Sequence, residues 1–417
     1  MSAPPWLEAG AAHVWRPYCQ HETAPPPLPV VSASGSRLVL ADGRELVDGT
    51  ASWWTAAHGY RLPEIQERVE AQLRRLPHVA FGGLANEAAY SLAERLAKML
   101  APLTRVFFVE SGSVSVEVAL KMALQSFSNR GAPRRKIVCF ANAYHGDTFA
   151  TMALSDPLTG MHHAFTGMGV EAVHLPLPHA EDGGAFEKAF AAIDGVACAI
   201  VEPLVQCAGG MVFHGPAELE RIRRACDHAG AWLVYDEIAT GFHRTGPRFA
   251  LDSTIAKPDI VTIGKALTGG TLPLAAVIAS EAVFAAFSSP KAEHALQHGP
   301  TYMGNALACA AAHASLDLFE KTDYSVMVSR LESTLRSSFE GFRGRPHVKD
   351  VRVLGAIAAI EMEPGTAPAS AAFVERGVFL RPLRLPHADV LYTMPPLTIG
   401  AADLDVLTTA IDAELPR

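Results

Sequence analysis

Of the nine lysines in this 417-residue sequence, one sits where covalent chemistry would want it. Lys265 follows Asp259-Ile-Val-Thr-Ile-Gly264, just past the carboxyl end of an apolar, strand-like run. Burial there disfavours the ammonium form and lowers the pKa. A neutral amine is what imine formation with an aldehyde requires. Lys98, Lys121 and Lys188 lie on helix-like faces that explain them, and most of the others fall in polar surroundings. Taken in isolation, Lys265 is equally compatible with a lysine that merely caps a strand end.

Asp236 narrows the reading. It closes the run Trp232-Leu-Val-Tyr235, again at a strand's carboxyl edge. If the two strands share a sheet, Asp236 and Lys265 reach one crevice. A pyridoxal ring needs such a pair. The lysine carries its aldehyde carbon, and the acid keeps its pyridine nitrogen protonated, which makes the ring an electron sink. The alternative for Asp236-Glu237 is a helix N-cap with an acidic first turn.

Other groups fit the same chemistry, each with a plainer alternative. Ser111-Gly112-Ser113 lies between a strand-like run and a helix, where amides at a helix start can cradle phosphate or simply be capped. Tyr144, in Tyr144-His-Gly-Asp-Thr148, can lie flat on a ring or be an ordinary core or surface tyrosine. His298-Gly-Pro-Thr301 is loop-like and leads into an alanine-rich helix, which Thr301 can cap if it does not bond phosphate. Trp53-Trp54 can wall an apolar pocket or belong to the core. Arg381, before Pro382, can clamp a carboxylate bidentately, although surface ion pairing is the commoner use.

The elements that must position these groups alternate along the chain. Helix-like stretches at 63–76, 87–100, 113–126, 186–193 and 217–229 are interleaved with apolar runs at 105–109, 136–140, 197–201, 232–235 and 260–263. Such alternation predicts an α/β architecture with a doubly wound, mostly parallel sheet. Before it, an Asp42-Gly43 turn joins strands at 37–40 and 45–48. After about residue 321 come a strand-rich run at 348–362, shorter runs at 377–381 and 390–394, and a helix at 401–415. We expect a large domain over residues 51–320, with 1–50 and 321–417 forming a small one. Segment 285–297 has the Ser-Ser-Pro-Lys character of a lid.

Composition sets outer bounds. Hydrophobic residues make up 49% and charged residues 19%, as in a folded chain with a substantial core. A net charge of -8 argues against nucleic acid or an acidic membrane as partner. Six cysteines form no C-x-x-C pair and 17 histidines form no ligand-spaced cluster, so no metal site is expected. Sparse cysteine fits a reducing compartment. Residues 1–10 lack a signal-peptide pattern, and the uncharged run 266–280 is too short to span a membrane. These features predict a cytoplasmic protein.

The runs Asp236-Glu-Ile-Ala-Thr-Gly-Phe-His-Arg-Thr-Gly246 and Ile263-Gly-Lys-Ala-Leu-Thr-Gly-Gly270 resemble the class III aminotransferases of PLP fold type I. Further matching pieces are Trp15-Arg-Pro-Tyr18, Ser52-Trp-Trp54, residues 111–122, residues 144–148, Glu202-Pro-Leu-Val-Gln206 and residues 298–305, so the likeness spans nearly the whole chain. It implies a mostly parallel seven-stranded sheet in the large domain and a smaller α+β domain formed by both chain ends. It implies pyridoxal 5'-phosphate as cofactor, with Lys265 as Schiff-base lysine and proton shuttle and Asp236 on the pyridine nitrogen. Gly112 and Ser113 would hold the phosphate beside Pro300 and Thr301, the last reaching in from the neighbouring subunit of a homodimer. Tyr144 would contact ring and substrate. Tyr18, Trp53, Trp54 and Gly299 would line the substrate pocket. Arg381 would bind the substrate carboxylate, with Arg244 as a further candidate.

Within the class, the likeness is greatest to the biotin-pathway branch, which implies S-adenosylmethionine as amino donor and 8-amino-7-oxononanoate as acceptor. A lysine-donor version is the nearest rival. Aminotransferases of ornithine or 4-aminobutyrate usually carry Gln where this chain has Ala239 and Ser where it has Pro300. A non-catalytic scaffold, the reading from a different class, has no need of an imine-forming lysine. His243 and Cys207 stand where the family usually has Gly, and they bear on the substrate pocket rather than the cofactor.

Overall fold

The apolar runs do meet in one sheet. The computed structural model describes residues 4–157 and 162–417, so the first three residues of the opening stretch lie outside it. The central sheet holds β1 (Arg105–Val109), β2 (Lys136–Phe140), β3 (Glu171–Leu175), β4 (Val196–Val201), β5 (Trp232–Asp236), β6 (Ile260–Ile263) and β7 (Ala275–Ala279). Their order is β1-β7-β6-β5-β4-β2-β3, and all run parallel except β7, which is antiparallel to both neighbours. Every residue of β4 is buried because helices cover both faces, which is why it reads as a continuous apolar run rather than an alternating one. The helix Gly112–Asn129 packs over β6 and β7, and Pro216–Ala229 packs against β4 and β5.

Two strands of the central sheet escaped the sequence reading. β7 lies inside the uncharged run 266–280, where Gly269, Gly270 and Pro273 obscure its period. Periodicity alone cannot tell a short apolar strand from a buried helical piece. β3 is an edge strand, exposed or half-buried along its length, so Glu171 and His174 dilute its apolar signal. The anticipated helices all form, and their ends shift by only a few residues.

The two chain ends share a sheet. Strands Val30–Ser34, Arg37–Leu40 and Glu45–Asp48 are antiparallel, and Val378–Phe379 adds in parallel to Glu45–Asp48, with Val378 opposite Val47 and Phe379 opposite Asp48. The run 348–362 is two strands, Val348–Leu354 and Ile357–Met362, that turn back at Gly355. A side chain there is impossible without rearrangement, since φ is +56° and a Cβ would lie 2.6 Å from the Arg244 carbonyl oxygen. Among the described residues, no helix is long and apolar enough to cross a membrane, and no three side chains gather as metal ligands.

Candidate active site

β5 and β6 lie side by side, in register through Asp236 and Thr262. Asp236 ends its strand, and Lys265 follows Ile263 by two residues, so both emerge at one carboxyl edge. This is where ligands settle in doubly wound sheets. No helix starts at Asp236, so the capping alternative fails. Glu237 is buried and ties down the following loop, accepting from the amides of Ala250 at 2.8 Å and Leu251 at 2.7 Å.

Lys265 opens a single helical turn, Lys265–Thr268, with φ of +44°. The residue keeps some exposure, but its amine lies 4.1 Å from the centroid of the Trp54 ring. Burial holds that amine below the usual lysine range, opposed by the nearby Cys207, Asp236 and Glu202 and reinforced by Arg244. A depressed amine is a usable nucleophile and proton carrier.

Asp236 is held on both oxygens. Oδ1 accepts from the Ile238 amide at 3.1 Å and from the Thr262 hydroxyl at 3.3 Å. Oδ2 lies 2.7 Å from His145 Nδ1. Burial would lower the His145 pKa, but the bond to Asp236 and the charges of Asp236 and Glu202 raise it instead. His145 Nε2 is buried without a partner among the described residues. Glu202, just past β4, is buried beside them and accepts from the amides of Cys207 at 3.0 Å and Tyr144 at 3.1 Å. Burial pushes its pKa up to about 7.

The helix Gly112–Asn129 points its amino end into the same crevice, capped by Ser111. Gly112 is closely packed, since a Cβ there would lie 3.1 Å from the Ile238 side chain and push it aside. Gly146 approaches Ser113 so closely that a Cβ would sit 2.1 Å from its Oγ. Ser113 Oγ also accepts from the Asp147 amide at 3.2 Å. The result is a tight cradle of helix-start amides, suited to phosphate. Cradle, amine and buried carboxylate together fit pyridoxal phosphate: one end anionic, one an aldehyde, one a ring nitrogen.

Above the crevice, Asp147 gathers three donors on Oδ1: the hydroxyl of Tyr18, the hydroxyl of Tyr144 at 2.9 Å and His162 Nε2 at 2.9 Å. His162 holds the Asp147 carboxyl below its usual range, assisted by both phenols. Burial, with the Asp147 charge, pushes Tyr18 up to about 12 and raises Tyr144 as well, so both phenols stay protonated donors. Arg381 Nη2 donates to the Tyr18 carbonyl at 3.3 Å, and its guanidinium carbon is 5.7 Å from the Trp53 ring centroid. It makes no ion pair among the described residues.

Other expected residues are placed differently. The paired tryptophans divide: Trp54 is buried against Lys265 and Tyr392, and Trp53 is 46% exposed. Arg244 is buried and donates to the carbonyls of Pro395 at 2.7 Å and Ala356 at 3.3 Å, leaving Nη2 without a partner among the described residues. Burial lowers its pKa to about 10. Gly299 and Thr301 are exposed, and no hydrogen bond among the described residues joins the Thr301 side chain to Gly112 or Ser113. Thr301 is not the cap of the next helix either, because Asn305 takes that position and accepts from the Ala308 amide.

The sequence reading gave no role to His145, Glu202, Asp147 or His162. Glu202 carried a usable signal, since it follows an apolar strand just as Asp236 ends one. His162 carried none, because only the folding of its loop brings it to Asp147.

A family model described as aminotransferase class-III matches residues 18–415. A curated protein of Corynebacterium glutamicum, called adenosylmethionine-8-amino-7-oxononanoate aminotransferase, is 38% identical, with 99% of each chain covered. The crystal structure of an enzyme of that same description from Methanocaldococcus jannaschii superposes with a TM-score of 0.90 at 29% identity, covering 98% of both chains. A PLP-bound amine transaminase from an uncultivated Pseudomonas species superposes with a TM-score of 0.87 at 27% identity, covering 97% of this chain and 98% of that one.

Proposed function

Since the chain belongs to the class III aminotransferases, we propose that it transfers an amino group from S-adenosylmethionine to 8-amino-7-oxononanoate, giving 7,8-diaminononanoate for biotin synthesis. The observation that carries the chemistry is the convergence of the Lys265 amine and the Asp236 carboxylate on one sheet edge, beside a helix start shaped for phosphate. The relatives' shared description supports the substrate pair.

When bound, pyridoxal phosphate supplies an aldehyde that takes up the amino group and a protonated ring that withdraws electrons from the reacting carbon. Asp236 keeps the proton on the ring nitrogen, and His145 orients Asp236. Gly112 and Ser113 anchor the phosphate through helix-start amides, joined by Pro300 and by Thr301 of the partner subunit in a homodimer. Lys265, whose amine burial holds below the usual lysine range, carries a proton between the substrate carbon and the cofactor carbon. Trp54 covers that amine and keeps water away from it. Tyr18 and Tyr144, whose hydroxyl protons go to Asp147, present their oxygens as acceptors to the amino groups of the substrate. Arg381 meets the acceptor carboxylate, whose planar shape suits a guanidinium fork, and Trp53 and Gly299 line the approach. The exposed position of Thr301 within one chain supports a site completed across a dimer. We place the enzyme in the cytoplasm.

The test is the visible absorption of the purified holoenzyme. Adding S-adenosylmethionine without acceptor should bleach the cofactor band, and 8-amino-7-oxononanoate should restore it. Bleaching by lysine alone would replace the donor. Bleaching by ornithine or 4-aminobutyrate alone would replace the substrate class. A protein that forms no band with added pyridoxal phosphate would overturn the role of Lys265.

A further inference from the structure

The two tryptophans of the site stand on a backbone that L-residues avoid. Ala51, Ser52, Trp53 and Trp54 have φ of +46°, +48°, +55° and +74°. Four consecutive non-glycine residues thus occupy the left-handed region, where Cβ crowds the following carbonyl oxygen. Such residues occur singly in turns, not as a wound segment. The segment has a short ladder of its own, from the Trp54 amide to the Thr50 carbonyl at 2.8 Å and from the Thr55 amide to the Ala51 carbonyl at 2.9 Å. That ladder closes a turn but does not explain its hand, so something outside must hold it.

Asp48 is placed to do this. It is 1% exposed, and its carboxylate takes four donors. Oδ1 accepts from the Thr50 amide at 2.8 Å and the Thr50 hydroxyl at 2.9 Å. Oδ2 accepts from the Ser52 amide at 2.8 Å and from the Tyr60 hydroxyl. A carboxylate has room for about four such bonds, so its capacity is used on this turn and on Tyr60. Asp48 is itself fixed by the sheet that unites the chain ends, opposite Phe379 and two residues of chain before Arg381. One residue therefore joins the two, its carboxylate holding the tryptophan turn and its backbone lying beside the strand that leads to the arginine.

We propose that Asp48 is a positioning residue for transamination. It keeps the left-handed turn Ala51–Trp54 wound, so that Trp54 covers the Lys265 amine and Trp53 backs the Arg381 guanidinium. The proposal rests on the reading of Trp53, Trp54 and Arg381 as parts of the active site.

Asp48→Asn keeps the shape but puts an amide N–H where an oxygen accepted, leaving a backbone donor unmet. The holoenzyme of this variant should keep its visible cofactor band and lose about tenfold or more in kcat/KM for the acceptor, as displaced substrate walls do. Glycine adopts positive φ freely, so adding Ser52→Gly should let the turn persist without its clamp and recover about fivefold of that loss. A merely structural defect would lower the fraction of enzyme that keeps its cofactor band and leave kcat/KM per loaded site unchanged. Should Asp48→Asn prove too unstable to load, Tyr60→Phe removes one donor and should give a smaller loss of the same kind. An unchanged kcat/KM in Asp48→Asn and Tyr60→Phe, or an equal loss with and without Ser52→Gly, overturns the proposal. A Trp53→Ala control separates the two failures: if it too leaves kcat/KM unchanged, the pocket reading is what has failed.

Discussion

His145 Nδ1 lies 2.7 Å from Asp236 Oδ2, and both side chains are buried. The Asp236 carboxylate is thus held by a ring whose own pKa it raises. His145→Ala should keep the fold and leave Asp236 bonded to Ile238 and Thr262. It removes one charge-assisted bond, so kcat should fall by about one to two orders of magnitude. Single-turnover rates with saturating donor measure this, and an unchanged rate would show that Asp236 needs no support.

Glu202 predicts a pH dependence of stability. Its folded pKa is raised by burial to about 7, above that of an unfolded glutamate, so the native state holds a proton the unfolded chain has released. Stability contributed by this group is present at low pH and is lost as pH rises toward 7. Glu237, raised by burial to about 7 as well, acts in the same direction. Glu202→Gln should flatten the decline in Tm between about pH 5 and pH 7, by an amount on the order of a few kcal/mol in unfolding free energy. Denaturation curves at several pH values would show parallel slopes in wild type and variant if the carboxyl stays ionised.

Gly146 has φ of +124°, and a Cβ would overlap Ser113 Oγ. Gly146→Ala should therefore spread the phosphate cradle while leaving Lys265 and Asp236 in place. Cofactor should be lost on dialysis, with the dissociation constant raised by about tenfold or more, since a strained backbone and a displaced anion contact act together. Titration of apoenzyme with pyridoxal phosphate, followed by absorption, gives the number.

Among the described residues Arg381 pairs with no carboxylate, and its guanidinium lies beside the Trp53 ring. Arg381→Ala should raise KM for the acceptor by about tenfold or more, in line with loss of a charge-assisted pair. Arg381→Lys should recover little, because a point charge does not reproduce the planar fork. The donor half-reaction, followed alone by bleaching, is the internal control. A defect confined to that half would move the arginine's role to the other substrate.

Much of this protein was legible in the chain because strand ends are local features. A buried run followed by one reactive residue marks both Asp236 and Lys265, and alternation of helix and strand periods marks the sheet that aligns them. The helix start at Gly112 was legible for the same reason. What the chain could not show is whatever depends on residues far apart meeting at one point. Nothing near His162 in sequence announces Asp147, nothing near His145 announces Asp236, and Trp53 and Trp54 look identical until a left-handed turn buries one and exposes the other. Nothing near Arg244 in sequence announces the carbonyls of Ala356 and Pro395, to which its Nη1 donates. Local pattern determines which elements form and what stands at their ends, since each depends on a few neighbouring residues. Only tertiary packing decides which buried groups become partners, because burial makes an unpaired polar atom costly and the nearest compensation lies wherever the fold brings it.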